Sequence, residues 1–409
     1  MVAGLAMFVI AGIWVRPGRS IVKIQHTYIV HHRLMVSKHV IVFLILSCLN
    51  VLFFFSAGAQ SLMLVNQQTC GQNEWGRARS SPFTNFKKDS AIYNKGLLNK
   101  LKGRGITFGV SETLEGYYNF TGGLRAGSAM ASTFDANISA DLKKLLDIKG
   151  GMFYADLEDH AGDNPTDILT GDFQVFDKHN SAPFLQLLEL WYQQRLFDDK
   201  LRVKIGKIDA NSEFSVIDNG LNFINSSTQV TPTFFVFPTF PDPVPAINVF
   251  FTPGRFFYTS FAVNDANRSD HFLDFYGEPT AVQPTLHGEL LISESGINWD
   301  LLPLLKGGGN LKIGFWEHTG TFTKFDGDTQ QGAKGYYMIF DQTLWQPVSK
   351  PDDERGLRMF LEYARTEKSL TPIYQHFGGG LVWTGLTAGH PENATGISAH
   401  YTNLSPYLN

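Results

Sequence analysis

Hydrogen-bonding and charged side chains recur at every second position in two adjacent stretches of the chain. They are Glu189, Trp191, Gln193 and Arg195 in the first stretch, and Arg202 and Lys204 in the second. The guanidinium and ammonium groups can donate hydrogen bonds, the carboxylate can accept them, and the indole offers a flat surface for stacking. Because successive side chains of a β-strand point to opposite faces, a two-residue period places all of these groups on one face.

The apolar residues of the same stretches fall between the polar ones. They are Leu188, Leu190, Tyr192 and Leu196, followed after the turn "FDDK" by Leu201, Val203 and Ile205. This pattern predicts an antiparallel hairpin with one apolar and one charged face. The alternation alone does not say which face meets water.

The same alternation continues through most of the chain, from about residue 106 to about residue 402. It indicates about thirteen strands, and no helix long enough for a crossover separates them, so the sheet is predicted to be antiparallel. Glu115, Asp135 and Glu158 occupy the polar faces of the first three strands. The longest connections are predicted at 160–183 and 210–245.

The composition agrees with an all-β fold. The chain has 409 residues, of which 43% are hydrophobic and 18% charged, so it is neither disordered by composition nor apolar enough for a bundle of membrane helices. Its 34 phenylalanines and 39 glycines are typical of many strands and turns.

Residues 35–59 have the pattern of a secretory signal peptide. A lysine lies near the start, an apolar run follows from Val40 to Phe55, and the small residues "AGA" end at Ala59. We expect cleavage after Ala59 and interpret residues 1–34 as an upstream mis-start. A transmembrane anchor is the alternative interpretation of the apolar run.

Removing residues 1–59 would change both the charge and the cysteine content. This part holds five basic residues and no acidic ones, so the mature chain would be more negative than the −4 of the whole chain. Nucleic acid is therefore not an expected partner. Cys70 would be the only cysteine left, which rules out an intrachain disulfide or a cysteine-rich metal site. No cofactor or metal is predicted.

Two architectures suit these strands. A soluble sandwich would bury the apolar faces, whereas an outer-membrane barrel would turn them outward and keep the polar faces inside. Strands of ten or more residues with charges along one face favour the barrel.

Several motifs resemble the carbohydrate-selective porins of the OprB family. They include "ELWYQQRLFDDKL", "GKIDANSEF" and "FINSS" within 187–227, and "TGISAHYTNLSPYLN" at the end. The resemblance implies a sixteen-stranded antiparallel transmembrane β-barrel in the bacterial outer membrane. Through such a barrel, mono- and small oligosaccharides would diffuse passively into the periplasm. It further implies that the leucine face of the hairpin meets outer-membrane lipid.

The resemblance makes the polar residues candidates for the pore lining. Sugars present hydroxyls at their edges and C–H groups on their faces, so weak hydrogen bonds and aromatic stacking suit them. The candidates are Glu115, Asp135, Glu158, Glu189, Trp191, Gln193, Arg195, Arg202 and Lys204. For each charge the alternative is a solvated group that touches no substrate, and for Trp191 it is an aromatic of the membrane interface.

Three other features leave alternatives open. The proline- and phenylalanine-rich stretch 231–245 is interpreted either as a constriction loop inside the pore or as a loop on the barrel rim. Asp163, Asp167 and Asp172 could bind calcium, but their spacing does not match an EF-hand and favours a solvated loop. A secreted glycan-degrading enzyme or carbohydrate-binding protein is the second function, although Glu289 and Glu294 should face opposite sides of a strand.

The predicted organisation after the signal peptide has two parts. A periplasmic segment with a short amphipathic helix covers 60–104, and the barrel covers 105–409. Outer-membrane barrels commonly end on an aromatic residue, whereas this chain ends at Asn409. With about thirteen strands instead of sixteen, the closing C-terminal strands are predicted to be missing. Monomeric and trimeric states both stay open.

Overall fold

The computed structural model describes most of the chain after residue 94 and one short strand near the N-terminus. The described residues are 6–10, 95–221, 223–266, 274–276, 287–299, 307–347, 355–386 and 393–408. The predicted signal peptide at 35–59 lies outside them, as do most of 1–34 and all of 60–94. The predictions for these segments stay predictions.

The described residues include two short α-helices. α1 (Lys95–Gly103) coincides with the predicted amphipathic helix and is followed by Gly105 at φ +96°, a conformation that favours glycine. α2 (Leu142–Leu146) begins at Asp141, whose carboxylate accepts a hydrogen bond from the Lys143 amide at 3.0 Å and so satisfies a free helix N–H group. Among the described residues, no helix is long and apolar enough to cross a membrane.

Thirteen long strands make up most of the described chain, as the alternation predicts. They are β2 (Ile106–Asn119), β3 (Gly127–Asp141), β4 (Gly151–Gly162), β5 (Phe184–Leu196), β6 (Leu201–Ile208), β7 (Val244–Gly254), β8 (Phe257–Asp265), β10 (Glu289–Trp299), β11 (Gly309–Thr323), β12 (Thr329–Trp345), β13 (Gly356–Thr366), β14 (Ile373–Thr384) and β15 (Ala394–Leu404). Two shorter strands are β1 (Ala6–Ile10) and β9 (Asp274–Tyr276).

The long strands form one antiparallel meander. Each pairs with the next along the chain, except that β9 pairs with β5 and β8 therefore pairs directly with β10. β1 lies at one end of the sheet, beside β15, and β2 lies at the other end. Among the described strands β2 and β15 do not pair, so the sheet is not closed.

The two faces of the sheet differ in polarity. One face carries exposed apolar side chains, including Leu114 at 61%, Met338 at 44% and Ile397 at 57%, and we call it the outer face. Their neighbours on the other face, such as Thr113 and Ser398, are buried. A soluble sandwich would bury the apolar face instead, so this arrangement is the reverse of that alternative.

We call β5 and β6 the opening hairpin. Its first strand, β5, departs from strict alternation at Leu188. Asp156 of β4 pairs with Glu189, but the next residue, Leu157, pairs with Leu187. Leu188 is therefore an extra residue that forms a β-bulge. It is buried, whereas the sequence pattern predicted it on the outer apolar face with Leu190. That prediction for Leu188 is wrong because a bulge shifts the period by one residue.

A large apolar cluster lies between the sheet and the connection from β6 to β7. Its aromatic members from the connection are Phe214, Phe223, Phe234 and Phe237, and those from the strands are Phe250, Tyr258, Trp316, Phe322, Tyr337 and Phe360. Phe234 stacks on Phe237 with 3.8 Å between ring centroids. The phenylalanine-rich stretch therefore packs against the sheet itself. We call residues 209–243 the inner loop, and the face of the sheet that it contacts the inner face.

Candidate functional site

The inner loop is held by strands from both halves of the sheet. Its Asp209 amide donates to Glu189 of β5 at 3.0 Å, and its Thr231 hydroxyl lies 3.1 Å from His376 Nδ1 of β14. Seven strands lie between β5 and β14 along the hydrogen-bonded path. Because one loop contacts strands so far apart, the sheet curves around it.

Local turns shape the start and middle of the inner loop. A 3₁₀ turn at Ala210–Ser212 begins at Asp209, whose side chain accepts from the Asn211 amide at 2.7 Å. A second 3₁₀ turn at Ser226–Thr228 is capped in the same way by Asn225. Burial raises the pKa of the Asp209 carboxyl. These side-chain caps stabilise two tight turns of the inner loop, which contains no long helix or strand at these positions.

The nine predicted pore-lining residues all lie on inner-face positions of β2 to β6. Their strand positions follow from the register and burial of Glu115, Asp135, Glu158, Glu189, Trp191, Gln193, Arg195, Arg202 and Lys204. The charged face of the opening hairpin is thus the face that meets the inner loop. Their contact with a solute stays a prediction.

Two of these cations bind the inner loop directly. Arg202 donates two hydrogen bonds to the carboxylate of Glu213, at 3.0 and 2.6 Å, and the Lys204 ammonium donates a third at 2.6 Å. All three side chains are largely buried. Burial alone would raise the pKa of Glu213, but the two cations overcome it and hold this pKa at about 2. The carboxylate is therefore charged over the ordinary pH range.

Trp191 is covered on the inner face. Its side chain is 3% exposed, its ring stacks on Tyr154 with centroids 4.9 Å apart, and the Lys204 ammonium lies 4.0 Å from its centroid. A sugar cannot stack on a ring already in contact with both groups. The inner-face position also differs from that of an aromatic at the membrane interface.

Acidic side chains of β3, β4 and β5 form a group on the inner face that we call the acidic wall: Asp135, Asp156, Glu158 and Glu189. In the register, Asp135 pairs with Glu158 and Asp156 pairs with Glu189. Tyr154 donates to Asp156 at 3.2 Å. Among the described residues, one oxygen each of Asp156 and Glu158 is buried without a hydrogen-bond partner. Buried, unpartnered carboxylate oxygens are acceptors that a hydroxyl-bearing solute or water can satisfy.

The opposite wall binds the inner loop through carboxylates of its own. Glu294 of β10 accepts hydrogen bonds from the Ser215 amide at 2.9 Å and from the hydroxyls of Tyr258 and Tyr337 at 2.6 and 2.8 Å. Asp341 of β12 accepts from two consecutive loop amides, at 3.1 and 2.9 Å. The loop is thus held by charge-assisted hydrogen bonds on both sides, which are stronger than neutral ones.

The connection from β4 to β5 also reaches the inner face. Glu115 of β2 lies 3.1 Å from His179 Nδ1 of this connection, and Asp177 accepts from the Tyr117 hydroxyl at 2.9 Å. Lys178 donates to the Leu221 carbonyl of the inner loop at 2.9 Å. Burial raises the pKa of the Asp177 carboxyl and lowers that of the Lys178 ammonium. The two long connections therefore pack together.

The remaining sequence candidates do not assemble into sites. Asp163 accepts from the Met130 amide and Asp172 accepts from Thr166, and with Asp167 they do not form a group that could hold a metal ion. Glu294 lies on the inner face, whereas Glu289, five residues earlier on the same strand, lies on the other face as predicted.

Sequence reasoning missed the roles of Glu213 and Asp341 in holding the loop, and it missed two groups of possible metal ligands. These groups are Glu362 with His376 and His400, and Glu115 with Asp177 and His179. The alternation of β13, β14 and β15 places the first group on one face. No local spacing brings it together, because its members come from three different strands.

An antiparallel sheet with an exposed apolar face and a charged face turned toward an inner loop is the arrangement typical of an outer-membrane channel. The family model of the carbohydrate-selective porins, OprB family, matches residues 125–408. The chain belongs to the carbohydrate-selective porins of the OprB family, which confirms the prediction from its motifs.

The fold of the chain is similar to that of solved porin structures. The high-pH structure of OprB from Pseudomonas putida is 18% identical, with a TM-score of 0.65, over 77% of this chain and 79% of that chain. The low-pH structure of the same protein is 14% identical, with a TM-score of 0.43, over 76% and 96%. No functionally curated protein matches the chain significantly. The first of these structures establishes the porin fold.

Proposed function

We propose that this protein is an outer-membrane porin through which mono- and small oligosaccharides diffuse passively, along the part of the inner face that the inner loop does not cover. The observation that carries the proposal is the polarity of the sheet together with the anchoring of the loop. The exposed apolar face suits lipid, while the inner face carries charges on both sides of the loop. A loop fixed at both walls sets a constant width.

Sugar selectivity in this proposal depends on weak, reversible contacts. Asp156 and Glu158 of the acidic wall supply acceptors for sugar hydroxyls, and Arg195 supplies donors. Arg202 and Lys204 act mainly through Glu213, by holding the loop. Each contact must stay weak enough for the solute to leave, as in other selective pores.

Liposome swelling tests the proposed function. The mature protein is refolded into liposomes, and swelling rates are measured with a series of mono- and disaccharides, against vesicles without protein. We expect rates that decrease with sugar size and exceed those of an empty vesicle. A protein that stays soluble without detergent and causes no swelling would contradict the proposal.

The same preparation distinguishes the enzyme alternative. Glu294 is committed to three hydrogen bonds and Glu289 lies on the other face, so these two carboxylates do not converge as a retaining glycosidase requires. We therefore expect no release of reducing sugar from oligosaccharides. Sustained release that scales with protein concentration would favour the enzyme.

Export and assembly are further parts of the proposal. The signal-peptide pattern at 35–59 supports transfer across the inner membrane and cleavage after Ala59. N-terminal sequencing of protein from isolated outer membranes tests this, with Gln60 as the expected first residue. Crosslinking in the membrane would decide between a monomer and a trimer.

A further inference from the structure

Three ionisable side chains meet on the inner face of adjacent strands near one end of the sheet. Glu362 lies on β13, His376 on β14 and His400 on β15. Glu362 is 7% exposed, His400 is 4% exposed and His376 is fully buried. The pore-lining candidates lie on β2 to β6, so this group is separate from them.

A glycine makes room for the group. In the register, Gly378 of β14 pairs with Glu362 on one side and with His400 on the other. A Cβ atom at this position would lie 2.3 Å from Glu362 Oε1 and 2.6 Å from His400 Nδ1. Glycine weakens a strand interior and often marks a close approach. Here it lets a carboxylate and an imidazole reach each other across an intervening strand.

The nitrogen and oxygen atoms of the group are close together. His400 Nδ1 lies 3.2 Å from His376 Nε2 and 3.4 Å from Glu362 Oε1. Tetrahedral Zn²⁺ with ligand bonds of about 2.0 to 2.1 Å separates its ligand atoms by roughly 3.3 to 3.4 Å. One ligand atom from each residue lies within 4.8 Å of the others. The spacing therefore suits a small divalent cation.

Protons alone do not satisfy these atoms. His400 Nδ1 faces both His376 Nε2 at 3.2 Å and Glu362 Oε1 at 3.4 Å, and it carries a single hydrogen or lone pair, so it cannot satisfy both. Glu362 Oε1 is buried, and no hydrogen bond of good geometry reaches it within the described structure. A buried carboxylate oxygen without a partner carries a large desolvation cost. A cation among the three groups would accept a lone pair from each of them.

The inner loop supplies a supporting contact. Thr231 Oγ1 lies 3.1 Å from His376 Nδ1, on the side of the ring away from His400. With His376 bound to a metal through Nε2, its Nδ1–H group donates to this hydroxyl. Metal-bound histidines usually have such a partner for their second nitrogen, which fixes the orientation of the ring.

We propose that Glu362, His376 and His400 bind one divalent transition-metal ion, with Zn²⁺ as the best fit to two imidazoles and one carboxylate. Two histidines and a glutamate are a known zinc ligand set with a fourth position left open. Hard cations such as Ca²⁺ and Mg²⁺ prefer oxygen ligands and should bind poorly. Through Thr231, the bound metal would fix the inner loop to β14.

The test uses the full-length protein without a polyhistidine tag, freed of metal with a chelator in detergent. Zn²⁺ binding is measured by calorimetry, and Co²⁺ binding by the visible absorption of a tetrahedral complex. We expect one ion per chain. Each of Glu362→Gln, His376→Ala and His400→Ala should weaken binding at least about tenfold, and Gly378→Ala should do the same by filling the space.

His160→Ala is the matched control. His160 is a fully buried inner-face histidine on β4 whose Nδ1 lies 3.0 Å from the Thr133 hydroxyl, as His376 lies near Thr231. This variant should bind Zn²⁺ as the wild type does. The proposal is overturned if the wild-type protein binds no Zn²⁺ and Co²⁺ gives no tetrahedral spectrum. It is equally overturned if Glu362→Gln and His400→Ala bind as tightly as the control. The proposed porin function stands whichever result is obtained, because it does not rest on a bound metal.

Discussion

The carboxylate of Glu213 lies 2.6 Å from the Lys204 ammonium and joins the inner loop to the wall of the sheet. Arg202 completes the contact from the same strand at 2.6 Å, and its guanidinium lies 3.9 Å from the Phe250 ring centroid. Arg202 and Lys204, which the sequence predicts as pore-lining residues, therefore position a loop.

Replacing Glu213 by glutamine should release this part of the loop. Two largely buried cations would lose their counter-charge, and breaking a buried pair by removing one partner costs about 3 to 5 kcal/mol. We expect a lower unfolding temperature and a larger, noisier single-channel conductance in planar bilayers. Asp198→Asn, in the exposed turn between β5 and β6, is the control and should change stability by less than about 0.5 kcal/mol. Equal behaviour of the two variants would contradict the anchoring role.

The Glu213 contact should also depend on pH. The carboxyl pKa is lowered from 4.5 to about 2 in the folded protein, so its contribution is fully present above pH 4.5 and is lost as the pH falls through about 2. The difference in unfolding free energy between wild type and Glu213→Gln should be constant from pH 7 to about 4.5 and shrink below that. Urea titrations at a series of pH values measure this difference. If the difference in unfolding free energy instead grows as the pH falls, the proposed ion pair does not stabilise the folded protein in this way.

The outer face should not tolerate a charge in a membrane. Met338 is 44% exposed on the outer face of β12, and a lysine on the lipid side of such a strand costs about 2 to 4 kcal/mol near the bilayer midplane. We expect Met338→Lys to destabilise the protein by this amount in phospholipid vesicles, measured by reversible urea unfolding. Met338→Leu keeps the apolar character and is the matched control. If both variants are as stable as wild type, this face does not meet lipid.

Two arginines of the opening hairpin should differ in their effects. Arg195 pairs with Arg202 across β5 and β6, but only Arg202 holds Glu213. We expect Arg195→Ala to leave stability nearly unchanged and to lower sugar swelling rates several-fold relative to salt conductance, because it removes a donor from the proposed path. Arg202→Ala should instead reduce stability by about 3 kcal/mol or more. Equal losses of stability in both variants would contradict the separate roles.

The local sequence pattern was sufficient to predict the strands, their antiparallel order and the polarity of their two faces. Side chains alternate along a strand whatever surrounds it, so the alternation at Leu114 and Glu115, or at Arg202 and Val203, already separates outer from inner positions. The motifs around 187–227 were sufficient to identify the family. The single failure on the opening hairpin, at Leu188, is a bulge, which inserts one residue and leaves no reliable mark in a two-residue period.

The contacts between distant segments were decided only by the tertiary structure. Nothing near Glu213 in the sequence shows that it binds Arg202 and Lys204, because that contact depends on the inner loop folding back onto the sheet. The covering of Trp191 by Tyr154 and the meeting of Glu362, His376 and His400 depend likewise on strand register and on curvature. Side-chain alternation is a local property of the backbone, whereas the meeting of loop and wall depends on how all the strands are arranged in space.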